Sequence, residues 1–250
     1  MRPLERAGYL SYALSRRHKS RLDSSRRVVG EFLEKTRDPY IAYSTGKDST
    51  CMAALVWEQA PNVPGVYFDA QCAFPESTEL LDRVQARGRR IIRYPCEPFL
   101  ETLQRVGGPA APGCERATML STVYRPIRAL LKEFAFDGVA LGLRAEESVY
   151  RRMMARKYGA LFWQKRDQLW ECNPVLWWSW QDVWGYILSN DLDYNRAYDR
   201  MDAMPERARR ISYWAGETGR THGRWSWLRQ NYPQLWNQFV ALFPEVSQYT

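Results

Sequence analysis

Short apolar runs alternate with longer stretches rich in helix-forming residues along most of the chain. The apolar runs cover residues 40–44, 66–69, 90–94 and 139–141. Each run has the length of a buried strand, and the segments between them have room for helices. This alternation predicts a doubly wound α/β fold, in which helices flank both faces of a mainly parallel sheet.

The first part of the chain has a different pattern, in which apolar positions at helical spacing alternate with arginines. Leu22, Val28 and Phe32 illustrate that spacing, and Pro39 ends it because proline disfavours a helical residue before it. We therefore predict a basic helical segment, then an α/β domain, then a small helical region rich in Arg and Trp. The predicted bounds are residues 1–38, 39–199 and 200–250.

Two details of the α/β domain also follow from the pattern. Apolar runs at residues 161–165 and 168–172 flank a polar dipeptide, which predicts a hairpin. A long helix is predicted over residues 118–136. Pro126 lies inside it and should kink or break it near Tyr124, because proline removes a helical hydrogen bond.

Composition limits the classes of protein that fit. The chain has 250 residues, of which 45% are hydrophobic and 26% charged, as expected for a globular protein with a sizeable core. No apolar run approaches the ~20 residues of a membrane span, and the N-terminus lacks the apolar core of a signal peptide. We therefore expect a cytoplasmic protein with no membrane partner.

The cysteines exclude several kinds of site. There are five, at irregular spacing and without a C-x-x-C pair, and only two histidines accompany them. A disulfide framework, a zinc site and an iron–sulfur cluster within this chain are therefore not expected.

The net charge of +8 points to polyanionic partners such as a nucleotide, nucleic acid or an acidic protein surface. Residues 1–37 carry six of these excess positive charges. In the C-terminal region, basic residues interleaved with aromatic ones are suited to tracking phosphates and stacking bases. A solvated basic face explains both patterns equally well. The C-terminal residues are Arg200, Arg207, Arg209, Arg210, Arg220, Arg224 and Arg229, with Tyr213, Trp214, Trp225, Trp227, Tyr232 and Trp236.

The strand at residues 40–43 runs into a small polar loop, and a helix-forming stretch follows from residue 51. Backbone N–H groups at a helix N-terminus lack intrahelical partners and favour an anion. Gly46 lets the backbone approach that anion closely, and Lys47 supplies a positive charge. The loop is not a Walker A motif, which needs glycine where Ile41 stands and Ser or Thr where Asp48 stands. Its hydroxyl donors are Ser44, Thr45, Ser49 and Thr50.

The loop from Ser44 to Thr50 resembles the PP-loop, S-x-G-K-D-S, of the adenine-nucleotide α-hydrolase superfamily. The resemblance is to the branch that contains the phosphoadenylyl-sulfate (PAPS) reductases and the small subunit of ATP sulfurylase. It implies that the whole loop binds nucleotide phosphates. Residues 69–77 resemble the D-T-G-x-x-F-P-E-T segment of the same family. Asp69 there ends a strand at the edge where doubly wound folds bind ligands, although capping the next turn would also explain it.

A second signature follows the fourth strand, where residues 142–151 resemble the G-x-R-x-x-E-S-x-x-R element of this family. The resemblance places Gly142, Arg144, Glu147 and Arg151 in the nucleotide site. Guanidinium groups bind phosphate and sulfate through two parallel hydrogen bonds, which suits both arginines. Glu147 would orient an arginine or help to hold a metal ion.

Residues 173–187 and 192–199 resemble a tryptophan-rich helix and the L-x-Y-N-x-x-Y-D segment of the family, and we interpret their aromatic residues as packing. Beyond this point the chain departs from the thiol-dependent reductases, which carry a catalytic cysteine near the C-terminus. No cysteine follows Cys172. The sulfite-releasing mechanism of the family, through an enzyme thiosulfonate, therefore has no obvious carrier.

The resemblance implies an enzyme that binds ATP and cleaves it to AMP and pyrophosphate to activate an acceptor. Lys47, Asp48 and Arg144 are the predicted catalytic residues, and Mg²⁺ is expected with Asp48 as its associated carboxylate. The acceptor would be sulfate, a nucleobase or a nucleic-acid site that receives sulfur, as in the DNA-phosphorothioation relatives. A separate sulfur-donor protein would then be needed.

Two alternatives remain open from the sequence. The first is a sulfonucleotide reductase that acts on PAPS or adenylyl sulfate (APS), with its thiol supplied by a partner protein, Cys172 or Cys114. The second is a subunit that binds nucleotide or nucleic acid without turnover. The sequence leaves the oligomeric state open, including a homo-oligomer.

Overall fold

The computed structural model describes residues 2–202, 204–206, 209–211 and 224–249. No helix in these ranges is both long and apolar enough to span a membrane. The strands are β1 (Pro39–Ala42), β2 (Gly65–Asp69), β3 (Ile91–Pro95), β4 (Gly138–Ala140), β5 (Leu161–Gln164) and β6 (Leu169–Cys172). The helices are α1 (Pro3–Ala13), α2 (Arg16–Lys35), α3 (Lys47–Gln59), α4 (Pro75–Ala86), α5 (Phe99–Arg105), α6 (Cys114–Met119), α7 (Arg125–Phe134), α8 (Val149–Tyr158), α9 (Trp180–Ser189), α10 (Arg224–Asn231) and α11 (Pro233–Leu242).

The strands form one six-stranded sheet in the order β3-β2-β1-β4-β6-β5. All neighbouring pairs are parallel except β5 and β6, which form the antiparallel hairpin that the sequence predicts. The chain moves from β1 toward one edge of the sheet and returns to β4 on the other side of β1. The carboxyl ends of β1 and β4 therefore flank a topological switch point, where doubly wound folds bind ligands.

Successive residues of the central strands point to opposite faces of the sheet, as the pleat requires. Ile41 and Ala140 belong to the larger apolar core, which α3 and α9 also help to form. Tyr40 and Val139 belong to a second core, in which Leu130 of α7 covers the other face. Helices thus cover both faces, and the predicted doubly wound α/β class is confirmed.

The basic N-terminal segment consists of two helices, α1 and α2, and α1 packs against α9. Asp182, a fully buried residue in the first turn of α9, joins this segment to the α/β core. It accepts hydrogen bonds from Ser179 N at 2.7 Å and Tyr12 Oη at 3.1 Å, and it forms an ion pair with Arg21. His18 Nδ1 lies 3.1 Å from its Oδ1. Burial opposes the charge of Asp182, but hydrogen bonds from His18 and Ser179 outweigh it and hold its pKa well below the ordinary value.

The helix predicted over residues 118–136 is interrupted where Pro126 requires it. A π-helical turn, Leu120–Tyr124, separates α6 from α7, and Pro126 occupies the first turn of α7. Pro126 has no N–H to donate, and the backbone before it takes the wider π pattern, in which the Arg125 N–H donates to the Leu120 carbonyl. The interruption sets the wider backbone of the π turn beside the cavity described below.

The described part of the C-terminal region contains α10 and α11, and four of its aromatic residues are used in packing. Trp225, Trp227, Tyr232 and Trp236 are each less than 9% exposed. Tyr232 stacks on Phe74 with a centroid separation of 4.5 Å. These four rings are therefore not available to stack on bases, and nucleic-acid contact through the C-terminal region stays a prediction. Arg207, Tyr213, Trp214 and Arg220 lie outside the described residues.

Candidate active site

The loops that follow β1 and β4 meet in direct backbone contact at the switch point. A Cβ atom at Gly142 would lie 2.7 Å from the backbone nitrogen of Ser49 and 2.8 Å from the carbonyl carbon of Asp48. No real Cβ fits at these distances, and the atoms it would meet belong to the backbone of α3. Glycine at this position is what allows the second loop to pack against the N-terminus of α3.

Hydrogen bonds between its own hydroxyl groups fix the loop between β1 and α3. Ser44 Oγ donates to Ser49 Oγ at 3.1 Å, and Ser49 Oγ donates to the Gly46 carbonyl at 2.9 Å. Thr45 has a φ of 61°, which is rare for a β-branched residue, and its side chain is buried. Asn195 Nδ2 lies 3.4 Å from Thr45 Oγ1 and donates to Ser77 Oγ at 2.8 Å. These contacts hold the strained conformation in place, as is common at functional sites.

A chain of buried charges runs from this loop to the loop after β4. Lys47 Nζ lies 3.1 Å from Asp48 Oδ2, and Arg144 Nε donates to Asp48 Oδ1 at 2.6 Å. Burial opposes all three charges, but the opposite charges alongside outweigh it: the pKa of Lys47 and of Arg144 is raised, and that of Asp48 is lowered. All three groups therefore stay charged at neutral pH.

Arg144 does not line the cavity, and its side chain joins the loop after β4 to Asp48. Its Nη1 donates to Glu146 Oε2 at 2.7 Å and to the Trp178 carbonyl at 3.4 Å, and the residue is 5% exposed. Both oxygens of the Asp48 carboxylate accept hydrogen bonds, one from Lys47 and the other from Arg144. Direct contact of Arg144 with phosphate stays a prediction, and the geometry gives this arginine a positioning role.

Glu147 and Arg151, four residues apart on either side of the start of α8, form the second charged group at the cavity. Glu147 pairs with Arg151, accepts a hydrogen bond from the Arg144 backbone N–H at 3.2 Å, and lies 3.9 Å from Arg210 Nη2. The carboxylate thus lies between the guanidinium groups of Arg151 and Arg210. This arrangement fits the expectation that Glu147 orients an arginine.

A cavity of about 410 Å³ lies over the switch point, enclosed by both loops. Eight of the sequence-predicted site residues line it: Ser44, Gly46, Lys47, Asp48, Ser49, Gly142, Glu147 and Arg151. Apolar side chains from β2, α5 and the π turn, among them Val66, Phe68, Phe99 and Val123, form other parts of its wall. The cavity therefore combines cationic and hydroxyl groups with an apolar surface, as a nucleotide site requires.

Four other predicted residues do not line this cavity. Thr45 and Thr50 are buried beside it, and Arg144 lies behind the loop. Asp69 accepts a hydrogen bond from the Gln71 backbone N–H at 2.8 Å, so it caps the turn after β2. The capping explanation for Asp69 is thus the one that its contacts support, and a ligand-binding role for it stays a prediction.

Tyr198 is a cavity residue that the sequence reasoning missed. Its hydroxyl accepts a hydrogen bond from the Lys47 backbone N–H at 3.2 Å, and its ring centroid lies 5.6 Å from Lys47 Nζ. Burial raises its pKa, so the hydroxyl is neutral. The tyrosine belongs to the L-x-Y-N-x-x-Y-D segment, which was interpreted as packing. The polar end of a buried tyrosine needs a partner, and this requirement was the signal available in the sequence.

The structure also changes the choice of candidate thiols. Cys172 is fully buried, with its Sγ 3.9 Å from the Val28 carbonyl, and Cys114 is 4% exposed; neither lines the cavity. All five cysteines lie in the described ranges, and Cys72 is the one that lines the cavity. Burial raises the pKa of Cys72 to about 12, so its thiol is protonated at neutral pH. The two cysteines proposed from the sequence are wrongly placed for attack on a ligand in this cavity.

The described residues offer no preformed magnesium site, so the Mg²⁺ expected with the bound nucleotide stays a prediction. Within the residues that the structure describes, no three His, Cys, Asp or Glu side chains are grouped as metal ligands. Asp48, the expected metal-associated carboxylate, directs one oxygen to Lys47 and the other to Arg144. No step of the chemistry below is therefore assigned to a protein-bound metal.

Residues 38–202 match the family model described as the phosphoadenosine phosphosulfate reductase domain. The chain belongs to this family. A phosphoadenosine 5'-phosphosulfate reductase of Xylella fastidiosa (strain M12) is 24% identical over 187 residues, which cover 73% of this chain and 76% of that relative. An adenosine 5'-phosphosulfate reductase of Staphylococcus saprophyticus is 28% identical over 161 residues, which cover 62% of this chain and 63% of that relative.

Two solved structures share the fold of this chain. The phosphate complex of phosphoadenylyl-sulfate reductase from Candida auris superposes with a TM-score of 0.60 at 18% identity, over 80% of this chain and 96% of that one. An FMN adenylyltransferase of Candida glabrata gives a TM-score of 0.55 at 12% identity, over 77% of this chain and 65% of that one. Both likenesses concern the fold, and the predicted family resemblance is confirmed.

Proposed function

We propose that this chain is a sulfonucleotide reductase-like enzyme that binds a sulfated adenine nucleotide, PAPS or APS, and receives its attacking thiol from another molecule. The observation that carries the proposal is the cavity in which the PP-loop meets Gly142 and Arg151. The loop N–H groups, Lys47 and Arg151 suit the phosphate and sulfate, and the apolar wall suits the adenine. Membership of the PAPS reductase family supports the same substrate class.

In the proposed reaction, a thiolate of an external dithiol protein attacks the sulfur of the bound sulfonucleotide. The bond from sulfur to the phosphate oxygen breaks, and the adenosine phosphate leaves with the electron pair. The donor then carries a thiosulfonate. Its second thiolate attacks the first donor sulfur, which releases sulfite and leaves a disulfide. Lys47 and the loop N–H groups would stabilise the negative charge that develops on the departing phosphate.

An external donor is proposed because the cavity thiol is a poor nucleophile. A thiol must ionise before it attacks, and a pKa of about 12 leaves Cys72 almost wholly protonated near pH 7. Cys72 would then serve only as a small apolar residue in the cavity wall. Replacing it should therefore leave turnover with an external dithiol largely intact.

The test is sulfite release from PAPS and from APS in the presence of reduced thioredoxin. We expect release that is abolished in Lys47→Ala and retained in Cys72→Ala. If Cys72→Ala is inactive while still binding the nucleotide, the thiol is internal and the external-donor part is wrong. If neither sulfonucleotide yields sulfite with the wild-type protein, the reductase proposal is wrong.

A second candidate is ATP cleavage between the α- and β-phosphates, which the PP-loop at the cavity also suits. That reaction needs no sulfur nucleophile, and the same loop would bind the departing pyrophosphate. Incubation with α-³²P-ATP and Mg²⁺ separates the two. AMP, or an AMP adduct, formed together with pyrophosphate supports this candidate, and formation of ADP contradicts it.

A further inference from the structure

A second groove lies outside the nucleotide cavity, between α2 and α8. It encloses about 360 Å³, and residues 176–179, which precede α9, form part of its wall. Its residues are not those of the nucleotide cavity. The groove therefore has to be explained separately from the reaction.

Four arginines line this groove as two pairs, each spaced by four residues on one helix. Arg17 and Arg21 belong to α2, and Arg152 and Arg156 belong to α8. Four residues advance a helix by about 6 Å, so each pair presents two cations on the same side of its helix. Two basic helix faces thus border one groove.

Three of these arginines are free to bind a ligand. Arg21 is committed to Ser179 and Asp182. The exposed side chains of Arg17, Arg152 and Arg156 make no hydrogen bond or ion pair with the described part of the chain. The carboxylate in the groove, Glu146, does not neutralise them, because its Oε2 accepts from Arg144 Nη1 at 2.7 Å and from the Trp180 backbone N–H at 2.9 Å.

Trp177 adds an aromatic surface to the same groove. It is 49% exposed, although its neighbours Leu176 and Trp178 are 5% and 2% exposed. The buried side chains on both sides anchor the backbone and leave the indole half in solvent. Most other tryptophans of the described chain are used in packing, so an indole beside three free cations is a distinctive feature of this surface.

We propose that this groove binds single-stranded nucleic acid, with the backbone phosphates on Arg17, Arg152 and Arg156 and a base stacked on Trp177. Free guanidinium groups supply the phosphate contacts, and an exposed indole supplies a sequence-tolerant stacking surface; this pair of features is typical of single-strand binding. An acidic peptide would use the cations but would have no need of the indole. Arg17 belongs to the basic N-terminal segment, whose excess charge already points to polyanionic partners, whereas the described basic residues of the C-terminal region do not line this groove.

The groove and the nucleotide cavity are connected through three residues. Glu146 lines the groove and pairs with Arg144, which in turn holds Asp48 at the phosphate loop. A nucleic-acid strand bound in the groove would therefore lie next to Glu146, at the opposite end of this chain of charges from Asp48 and the phosphate loop. The binding itself does not depend on the proposed reaction.

The test is fluorescence anisotropy with a fluorescein-labelled oligothymidylate of about 20 nucleotides, titrated at several salt concentrations with the full chain. We expect Arg152→Glu/Arg156→Glu to abolish most of the binding and to reduce the slope of log K against log salt by about 1.4, because each lost contact contributes about 0.7. Trp177→Ala should weaken binding about tenfold or more with an unchanged salt slope.

Matched controls come from the same chain. Arg125→Glu/Arg128→Glu makes the same charge change at two exposed arginines of α7, on the opposite face of the sheet, and Trp163→Ala removes another half-exposed indole. Both should bind like the wild type. Lys47→Ala should also keep oligonucleotide binding, which separates this inference from the fate of the proposed reaction. Equal loss in the control and groove variants, equal affinity for a duplex of the same length, or binding only to an acidic peptide would overturn the proposal.

Discussion

Arg144 Nε donates a hydrogen bond to Asp48 Oδ1 at 2.6 Å, and these two residues are 96 positions apart in the sequence. Both are largely shielded from solvent, with side-chain exposures of 6% and 15%. The bond joins the N-terminus of α3 to the loop after β4, so the two halves of the candidate active site share one ion pair. The position of Asp48 therefore depends on a residue that does not line the cavity.

The first prediction concerns the loss of this pair. Arg144→Leu leaves the carboxylates of Asp48 and Glu146 without their guanidinium partner, and removing one partner of a buried pair costs about 3–5 kcal/mol. We expect the free energy of unfolding in urea to fall by about that amount. Arg93→Leu, which breaks an exposed pair with Asp82, should cost less than about 1 kcal/mol. If Asp48→Asn and Arg144→Leu have additive effects in a double-mutant cycle, the two residues are not coupled.

The second prediction concerns the contact between the two loops. Gly142→Ala places a Cβ atom 2.7 Å from the Ser49 nitrogen, so the loops must separate. We expect nucleotide affinity, measured by isothermal titration calorimetry, to fall at least about tenfold, since a shift of about 1 Å disrupts site geometry. Gly8→Ala in α1 is the control, because nothing lies within 4 Å of its added Cβ. That variant should bind normally and be slightly more stable. Normal nucleotide binding by Gly142→Ala would contradict the close-contact argument.

The third prediction is a pH dependence of stability that originates at Asp182. Its pKa in the folded chain lies below the ordinary value of 3.8, so its contribution is fully present above that pH and is lost as the pH falls through the folded pKa. Asp182→Asn should therefore lower the free energy of unfolding by about 3–5 kcal/mol at pH 7 and by less at pH 3. Urea unfolding at both pH values measures the difference. An equal loss at both would mean that the charge of Asp182 is unimportant.

The fourth prediction concerns Glu206, whose carboxylate oxygens are buried and have no hydrogen-bond partner among the described residues. Burial raises its pKa above the ordinary value of 4.5, partly offset by the charges of Lys47 and Arg209. An acid with a raised folded pKa makes the protein less stable as the pH rises from 4.5 through that pKa. Glu206→Gln should remove this penalty, and a gain of about 1 kcal/mol at pH 8 would raise Tm by about 2–4 °C. The gain should vanish near pH 4, and the exposed Glu101→Gln should show none at either pH.

The sequence was sufficient for the elements that have strong local signals. The strand beginning at Tyr40, the hairpin around Arg166 and the interruption before Pro126 all depend on periodicity or on the chemistry of proline. The PP-loop and Gly142 could be paired in advance because each follows a strand of a parallel sheet. A position at a strand end is enough to bring backbone segments together.

The sequence did not predict how the side chains of the site are oriented, because their orientation depends on partners from distant parts of the chain. The sequence could not indicate that the Arg144 guanidinium contacts Glu146 and the Trp178 carbonyl, and its contact with phosphate stays a prediction. Tyr198 reaches the loop across 151 positions. The C-terminal tryptophans were equally consistent with a surface and with a core, since composition does not show which face of a helix is covered.

The hydrogen bond from the Lys47 N–H to the Tyr198 hydroxyl has a consequence for selectivity. An N–H at the start of a helix is the strongest backbone donor that an anion can use, and here it already has a neutral acceptor within the protein. A ligand that accepts from this N–H replaces the Tyr198 hydroxyl as its acceptor. The free energy gained is therefore only the difference between the new hydrogen bond and the one to Tyr198. A neutral group gains almost nothing from that exchange, whereas a charged oxygen gains about as much as charge assistance adds to a hydrogen bond. Competition from the Tyr198 hydroxyl thus favours anionic ligands over neutral ones at this N–H.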